Sequence, residues 1–334
     1  MEEDMAFKDI VGNDRVKKIM CKALQREKVP NSILFCGQEG VGKKELALVL
    51  AKAMNCEQKK DDACEICASC RAIHKGNFPD VLEIHPEKNK IKIEQMRNLR
   101  QIAYLKPMVG RKRVFIIVEA EKMTGEAANS LLKILEEPPL FSHIILITHN
   151  PFMIIPTIKS RCQILNFSPV SREDIGKILV EKGYESEKAK IISLLVRGNL
   201  RNALSLEWEE VEDRRKRAWQ LLLSLIGKGN MAFFLRNYSF SQRALVKEEW
   251  EQILEILSSF CRDLILVKEK SDVSLLINPD YREEISKIER LLSLEWIIHC
   301  LEKIDYVISG FQKNLNVNLL FSSFFSNYKG WEYV

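Results

Sequence analysis

The absences narrow the reading first. No apolar run is long enough to cross a bilayer and no signal-peptide pattern opens the chain, so a cytoplasmic protein without a membrane partner is the default expectation. No internal repeat and no low-complexity tract is found, so a repeat array is not expected. Charge of one sign does not dominate either. A net charge of +5 allows contact with nucleic acid or an acidic partner and requires neither. What remains, 46% hydrophobic and 29% charged residues in 334, is the composition of a globular protein of two or three domains.

Residues 32–36, SILFC, form a short apolar run, and ELALVLAKAM after residue 44 has helical spacing, with Leu46, Val49, Leu50 and Ala53 on one face. Between them lies GQEGVGKK, nearly the phosphate-loop pattern G-x-x-x-x-G-K-[ST]. Gly37, Gly40 and Gly42 suit backbone wrapping of phosphates, and Lys43 suits reaching the β- and γ-phosphates. The eighth position should carry a hydroxyl that ligates magnesium, and here it is Lys44. A lysine cannot ligate a cation; it adds a positive charge where the metal belongs. The strand read at 113–118, RVFIIV, apolar after its first residue, should be followed by one acid for the metal and one to activate water. Val118-Glu119-Ala120-Glu121 supplies only one of the two in either alignment. Two independent defects in one metal site point to a lost activity.

Further strands are read at DVLEIHP (80–86), HIILIT (143–148) and CQILNF (162–167), and helices at 91–107 and 124–139, the latter with Thr124 as N-cap and Pro138-Pro139 as stop. Strands alternating with helices give an α/β parallel sheet covered on both faces. After residue 167 the strand signal ends. SREDIGKILVEKG starts near a capping box at Ser171, and two shorter helices are read in 188–198 and 200–206. From Trp208 only long helices are expected: 208–226, 242–269 and a last stretch of about 282–327. Leu221, Leu222, Leu225, Ile226, Ile304, Ile308, Phe311 and Leu315 mark their apolar faces.

Nine cysteines are an odd count for a chain whose expected compartment disfavours disulfides. Cys36, Cys162, Cys261 and Cys300 sit in segments that read as buried. Cys56, Cys64, Cys67 and Cys70 instead form C-x7-C-x2-C-x2-C, a spacing suited to tetrahedral zinc, with His74 as a spare donor. The polar segment EQKKDDA has no core of its own, so the zinc is expected to be structural. Arg111-Lys112-Arg113 and Lys88-Asn89-Lys90 read as solvated turns rather than as nucleic-acid contacts.

Taken together, GQEGVGKK, the cysteine cluster after the next helix, EAEKMTGEAANSLLKILEEPP and TIKSRCQ resemble the clamp-loader subunits of bacterial DNA polymerase III, over residues 7 to about 205. Beyond that the match is one of length and of the segment NLNVNLLF (314–321). The resemblance implies an AAA+ module at 1–167 with an inserted zinc module at about 56–70, a helical lid at 168–207 and a helical collar domain at 208–334. It implies gamma/tau and delta subunits as partners, with the sliding clamp and primer-template DNA met through the complex. The defects at Lys44 and Val118 fit the delta-prime branch, which does not hydrolyse ATP. In that branch Arg161, in Ser160-Arg161-Cys162, serves as an arginine finger in a neighbour's ATP site. Thr148 and Arg201 stand where active relatives sense nucleotide, although turn chemistry explains Asn150 before Pro151, and Arg201 in this chain has the option of pairing with an acid. Structural zinc is expected, no working magnesium site is expected, and nucleotide binding without hydrolysis stays open. The rivals are a gamma/tau-like ATPase, marked by magnesium-dependent turnover of the lone chain, and a zinc-dependent nucleic-acid-binding protein, marked by salt-sensitive DNA binding lost on chelation.

Overall fold

The computed structural model describes residues 5–58, 61–229, 245–313 and 315–326. Parts of four expected segments, 57–63, 242–269, 282–327 and 314–321, fall outside them. The chain divides into two compact units, Met1–Lys182 with Val196–Leu204, and Gly183–Leu195 with Ser205–Val334.

In the first unit, α1 (Asp14–Gln25) precedes β1 (Ser32–Cys36), α2 (Lys43–Asn55), α3 (Ala68–His74), β2 (Val81–Ile84) and α4 (Ile93–Ala103). β3 (Arg113–Ile117), α5 (Gly125–Glu136), β4 (Ser142–Thr148), a short α6 (Pro156–Lys159), β5 (Gln163–Asn166) and α7 (Arg172–Glu181) follow. The strands are all parallel, in the order β2-β3-β4-β1-β5. This is the expected α/β architecture: a parallel sheet with helices on both faces. Alternation along β1 divides the core. Ile33 and Phe35 join Met20, Leu46 and Leu50 on one face, while Leu34 and Cys36 join Met96, Leu131 and Ile158 on the other. Thr124 caps α5 as expected, its hydroxyl accepting from Ala127 N at 3.2 Å, and Ser171 caps α7 through Asp174 N at 3.0 Å. Helices α1 and α3 escaped the sequence reading.

Arg113 opens the strand read at 113–118, but it is not solvated as its basic run suggested. It is only 2% exposed. Its guanidinium reaches the fully buried Asp80 at 2.7 Å and also donates to Ile102 O and Lys106 O. Asp80 in turn accepts from the amides of Met108, Val109 and Gly110, each at 2.8 Å. Burial pushes the Asp80 carboxyl up, but those amides and Arg113 outweigh it and hold it below its usual value. Asp80→Ala leaves a guanidinium buried without its counter-ion. A loss of about 3–5 kcal/mol is expected in chemical denaturation, with Asp80→Asn, which keeps an acceptor, losing less.

His143, one residue into β4, is 3% exposed, and its Nδ1 donates to Pro30 O at 3.0 Å. Burial lowers its pKa to about 4. The unfolded chain therefore takes a proton between pH 6.5 and 4 that the folded chain refuses, so this residue lowers stability as pH falls through that window. The full effect is about 3 kcal/mol. Urea midpoints measured from pH 7 to 4 should fall less steeply for His143→Gln than for the native chain.

The second unit is helical. α8 (Ser186–Leu195) opens it; the short α9 (Leu200–Ser205) runs up to its second part, which holds α10 (Trp208–Leu225) and α11 (Leu245–Lys268). The stretch read as one element from 282 is three helices, α12 (Arg282–Glu289), α13 (Leu294–Gln312) and α14 (Val317–Ser326). Ser293 caps the second through Trp296 N at 3.1 Å, which marks the break. Leu221, Leu222, Leu225, Ile226, Ile304 and Phe311 are buried as read, together with Trp250, Phe260, Phe321 and Phe324. Leu315 is not; it is 47% exposed. Arg215 is buried inside it, sits over the Tyr281 ring and binds Asn278 and Asp280.

Candidate functional site

The glycine loop joins β1 to α2. Gly40 and Gly42 have φ of +70° and +91°, and a Cβ on Gly40 would lie 1.7 Å from Asn199 Oδ1. Only glycine fits there. The first amide of α2 with a backbone acceptor is that of Leu46, which donates to Gly42 O at 3.0 Å. The loop therefore keeps the shape and polarity of an anion cradle. Lys43 is 6% exposed and turned back on the loop, its ammonium donating to Gly37 O and Gln38 O at 2.5 Å each. Burial lowers its pKa to about 8, against the pull of Glu121, Glu39 and Glu45.

Lys44 occupies the hydroxyl position and reaches Glu83 on β2, Nζ to Oε2 2.8 Å; the same oxygen lies 2.9 Å from His85 Nε2. Burial raises the Glu83 carboxyl, but these two partners hold it below its usual value. At the end of β3, Val118 lines the cleft, and Glu119, in the left-handed region at φ 54°, pairs with Lys122 at 2.7 Å. Glu121 pairs with His149. Thr148 is fully buried at the end of β4, opposite Cys36, with its hydroxyl accepting from Asn150 N at 3.1 Å. Arg201 pairs with Glu45 at 2.8 Å, so the acid option is the one it takes. Gly40, Gly42, Lys43, Lys44, His85, Arg201 and their neighbours enclose a cleft of 270 Å³, below the roughly 300–1,000 Å³ of common small-molecule sites.

The four cysteines come together where α2 ends and α3 begins. Their sulfur atoms all lie within 4.8 Å of one another. A zinc tetrathiolate with bonds of about 2.3 Å has sulfur–sulfur edges of about 3.8 Å, and Cys64 and Cys70 are already 4.0 Å apart. Backbone amides point at two of the sulfurs, Cys67 N at Cys64 Sγ (3.3 Å) and Cys70 N at Cys67 Sγ (3.4 Å). The donors thus fit a closed four-cysteine zinc site with no position for water. His74 lies outside the cluster, with Nδ1 3.5 Å from Lys52 Nζ. The excursion is fastened to the sheet domain by Lys52–Glu65 at 2.8 Å, Phe7 N to Asp62 at 3.0 Å and Gln25 to Asp61 at 3.2 Å.

Arg161 follows α6 and is exposed. Its guanidinium is fully engaged: Nε and Nη2 reach Glu136 Oε1 at 2.9 and 2.6 Å, and Nη1 donates to Thr157 O at 2.9 Å.

Family models described as "DNA polymerase III, delta subunit" and "DNA polymerase III, delta subunit, C terminal" match residues 12–171 and 219–328. DNA polymerase III subunit delta' of Bacillus subtilis is 31% identical over 255 residues, 76% of this chain and 77% of that protein. The chain belongs to the DNA polymerase III clamp-loader family. Subunit tau of Bacillus subtilis is 36% identical over 207 residues, but these cover 60% of this chain and 37% of that protein. A solved gamma-subunit-related protein of DNA polymerase III from Thermotoga maritima covers 95% of this chain at 20% identity and a TM-score of 0.49.

Within this clamp-loader family chain, the glycine loop, Thr148 and Arg201 lie in one region of the first unit, and the cysteines form a separate cluster. Glu83, His85, Glu136 and Asn199 were missed. Glu83 and His85 alternate in DVLEIHP, so both face the same way from β2, and that period was the available signal. No helix among the described residues is long and apolar enough to cross a membrane.

Proposed function

We propose that this chain is a delta-prime-type clamp-loader subunit that does not hydrolyse ATP and that presents Arg161 to a nucleotide on a neighbouring subunit. The observation that carries the reading is the Lys44–Glu83 ion pair. An ammonium tied to a carboxylate lies where a hydrolytic loop would set its metal-binding hydroxyl, and a divalent cation beside it would be repelled. Exposed Arg161 supports the other half. Its fork of donors suits the γ-phosphate oxygens, and it can exchange Glu136 for phosphate without crossing a core. Gamma/tau and delta subunits are the proposed partners, with clamp and primed DNA engaged through the assembly in the cytoplasm. The lid at 168–207 and collar at 208–334 belong to the same proposal, as do a structural zinc on Cys56, Cys64, Cys67 and Cys70 and the sensing positions Thr148 and Arg201.

A gamma/tau-like ATPase remains the second reading, favoured by the 36% identity to tau. One experiment separates the two. The loader is reconstituted with its ATPase subunits and assayed with clamp and primed DNA, and the chain alone serves as a blank. Magnesium-dependent turnover in the blank would favour the ATPase.

A further inference from the structure

The strands run parallel, so the segments that lead into β1, β3 and β4 gather at the end of the sheet opposite the glycine loop, where α1 and α2 also finish. There they enclose a second cleft of 680 Å³, inside the roughly 300–1,000 Å³ range of small-molecule sites. Leu24, Val29 and Met54 give it an apolar wall, and the Met54 thioether favours an aromatic ring. Lys28, Arg111 and Lys112 line it too, against the single carboxylate of Glu27. Lys28 and Arg111 are exposed and make no ion pair among the described residues, and Lys112 Nζ donates to a carbonyl, Leu140 O, at 2.8 Å. Positive charge in the lining thus exceeds negative charge, and an anion is its complement. His143 also lines the cleft and is 3% exposed. Burial first, and the Lys112 charge with it, outweigh the Pro30 carbonyl and keep the ring neutral. Because Nδ1 donates to Pro30 O, Nε2 holds the lone pair, and it is buried with no hydrogen-bond partner among the described residues. An acceptor buried unpaired at a cleft calls for a donor on the ligand.

We propose that this cleft binds a small aromatic anion, with its acidic group at Lys28 and Arg111 and an N–H or O–H on its ring system donating to His143. A carboxylate, sulfonate or phosphate serves as the acid, since the Arg111 fork and a lysine ammonium complement each of them. The inference goes beyond the reading of the chain as a loader subunit and does not depend on it. No residue of this cleft lines the glycine-loop cleft or bonds to Arg161.

The test is fluorescence titration of the purified full-length chain with two probes that share their rings and their N–H. Anilinonaphthalene sulfonate carries the acidic group, and phenylnaphthylamine lacks it. The native chain should bind the sulfonate one to one, about tenfold or more tighter than the neutral amine. Lys28→Glu and Arg111→Glu should each weaken the sulfonate by about tenfold or more and leave the amine unchanged. Val29→Trp fills the cleft, keeps every charge and should remove both probes. His143→Leu removes the acceptor and should weaken both alike. Thermal midpoints equal to the native value would show that the two charge variants fold, as their exposed positions imply, so the test stands even if the other two do not. Equal native affinity for the two probes, charge variants that bind the sulfonate as tightly as the native chain, or a folded Val29→Trp or His143→Leu that binds both probes as the native chain does would each overturn the proposal. Displacement of the sulfonate by a short DNA oligonucleotide would assign the cations to nucleic acid and overturn it as well.

Discussion

Arg161→Ala should cut clamp- and DNA-stimulated ATPase of the reconstituted loader by about 10³-fold, within the roughly 10³–10⁵ range for arginine fingers, while the chain alone stays silent. The effect arises at the transition state. Charge spreads over the γ-phosphate oxygens as the bond to the leaving group stretches, and a guanidinium placed there stabilises that state more than bound ATP. Arg161→Lys should recover little, because a point charge cannot reproduce the fork of donors. The loss should appear in kcat with assembly intact, since Arg161 is exposed and its partners, Glu136, Thr157 and Ser160, belong to its own subunit. An exposed pair of this kind contributes about 0–1 kcal/mol to stability, so the variant should fold normally. A loss smaller than tenfold with full assembly would reduce the subunit to a scaffold.

The parts of this molecule that could be read from sequence are those determined by near neighbours. SILFC, RVFII and HIILIT are apolar after their first residues because each strand is covered on both faces, so their identity as buried parallel strands needed no partner. The glycine loop needed only a strand before and a helix after. The cysteine cluster needed only its spacing. What stayed hidden depends on strand order. Glu83 meets Lys44 because β2 and the loop share one end of the sheet, although 39 residues separate them. Arg113 looked like the end of a basic turn, and its partner Asp80 lies 33 positions earlier on the neighbouring strand's approach. Arg161 and Glu136 lie 25 apart, at the ends of different helices. Charge pairs across elements leave no periodicity in the chain. Helix boundaries in the second unit failed for another reason: α12, α13 and α14 are all strongly apolar on one face, and the Ser293 cap between them is a single polar residue.

Removing the metal should unfold the cysteine excursion and leave the sheet standing. The purified chain should carry about one zinc, and Cys67→Ser should carry far less. Structural zinc sites release about 10–16 kcal/mol on binding, as much as the roughly 5–15 kcal/mol that holds a whole domain together. The segment from 57 to 66 has little else to order it: among its described residues Ala63 is the buried apolar one, and its packing partners are the cysteines themselves. Without zinc, four thiolates or thiols crowd within 4.8 Å, three of them buried. The contacts that fasten the excursion, Lys52 to Glu65, Asp62 to Phe7 and Asp61 to Gln25, are individually worth about 1 kcal/mol and cannot replace the metal. Limited proteolysis of Cys67→Ser should therefore cut first in this segment, before any cut in the strands. Stimulated ATPase in the reconstituted loader should change by less than tenfold, because the cluster has no open coordination position and shares no residue with the cleft lining or with the partners of Arg161. A collapse of stimulated turnover with the sheet intact would instead make the zinc module part of the working interface.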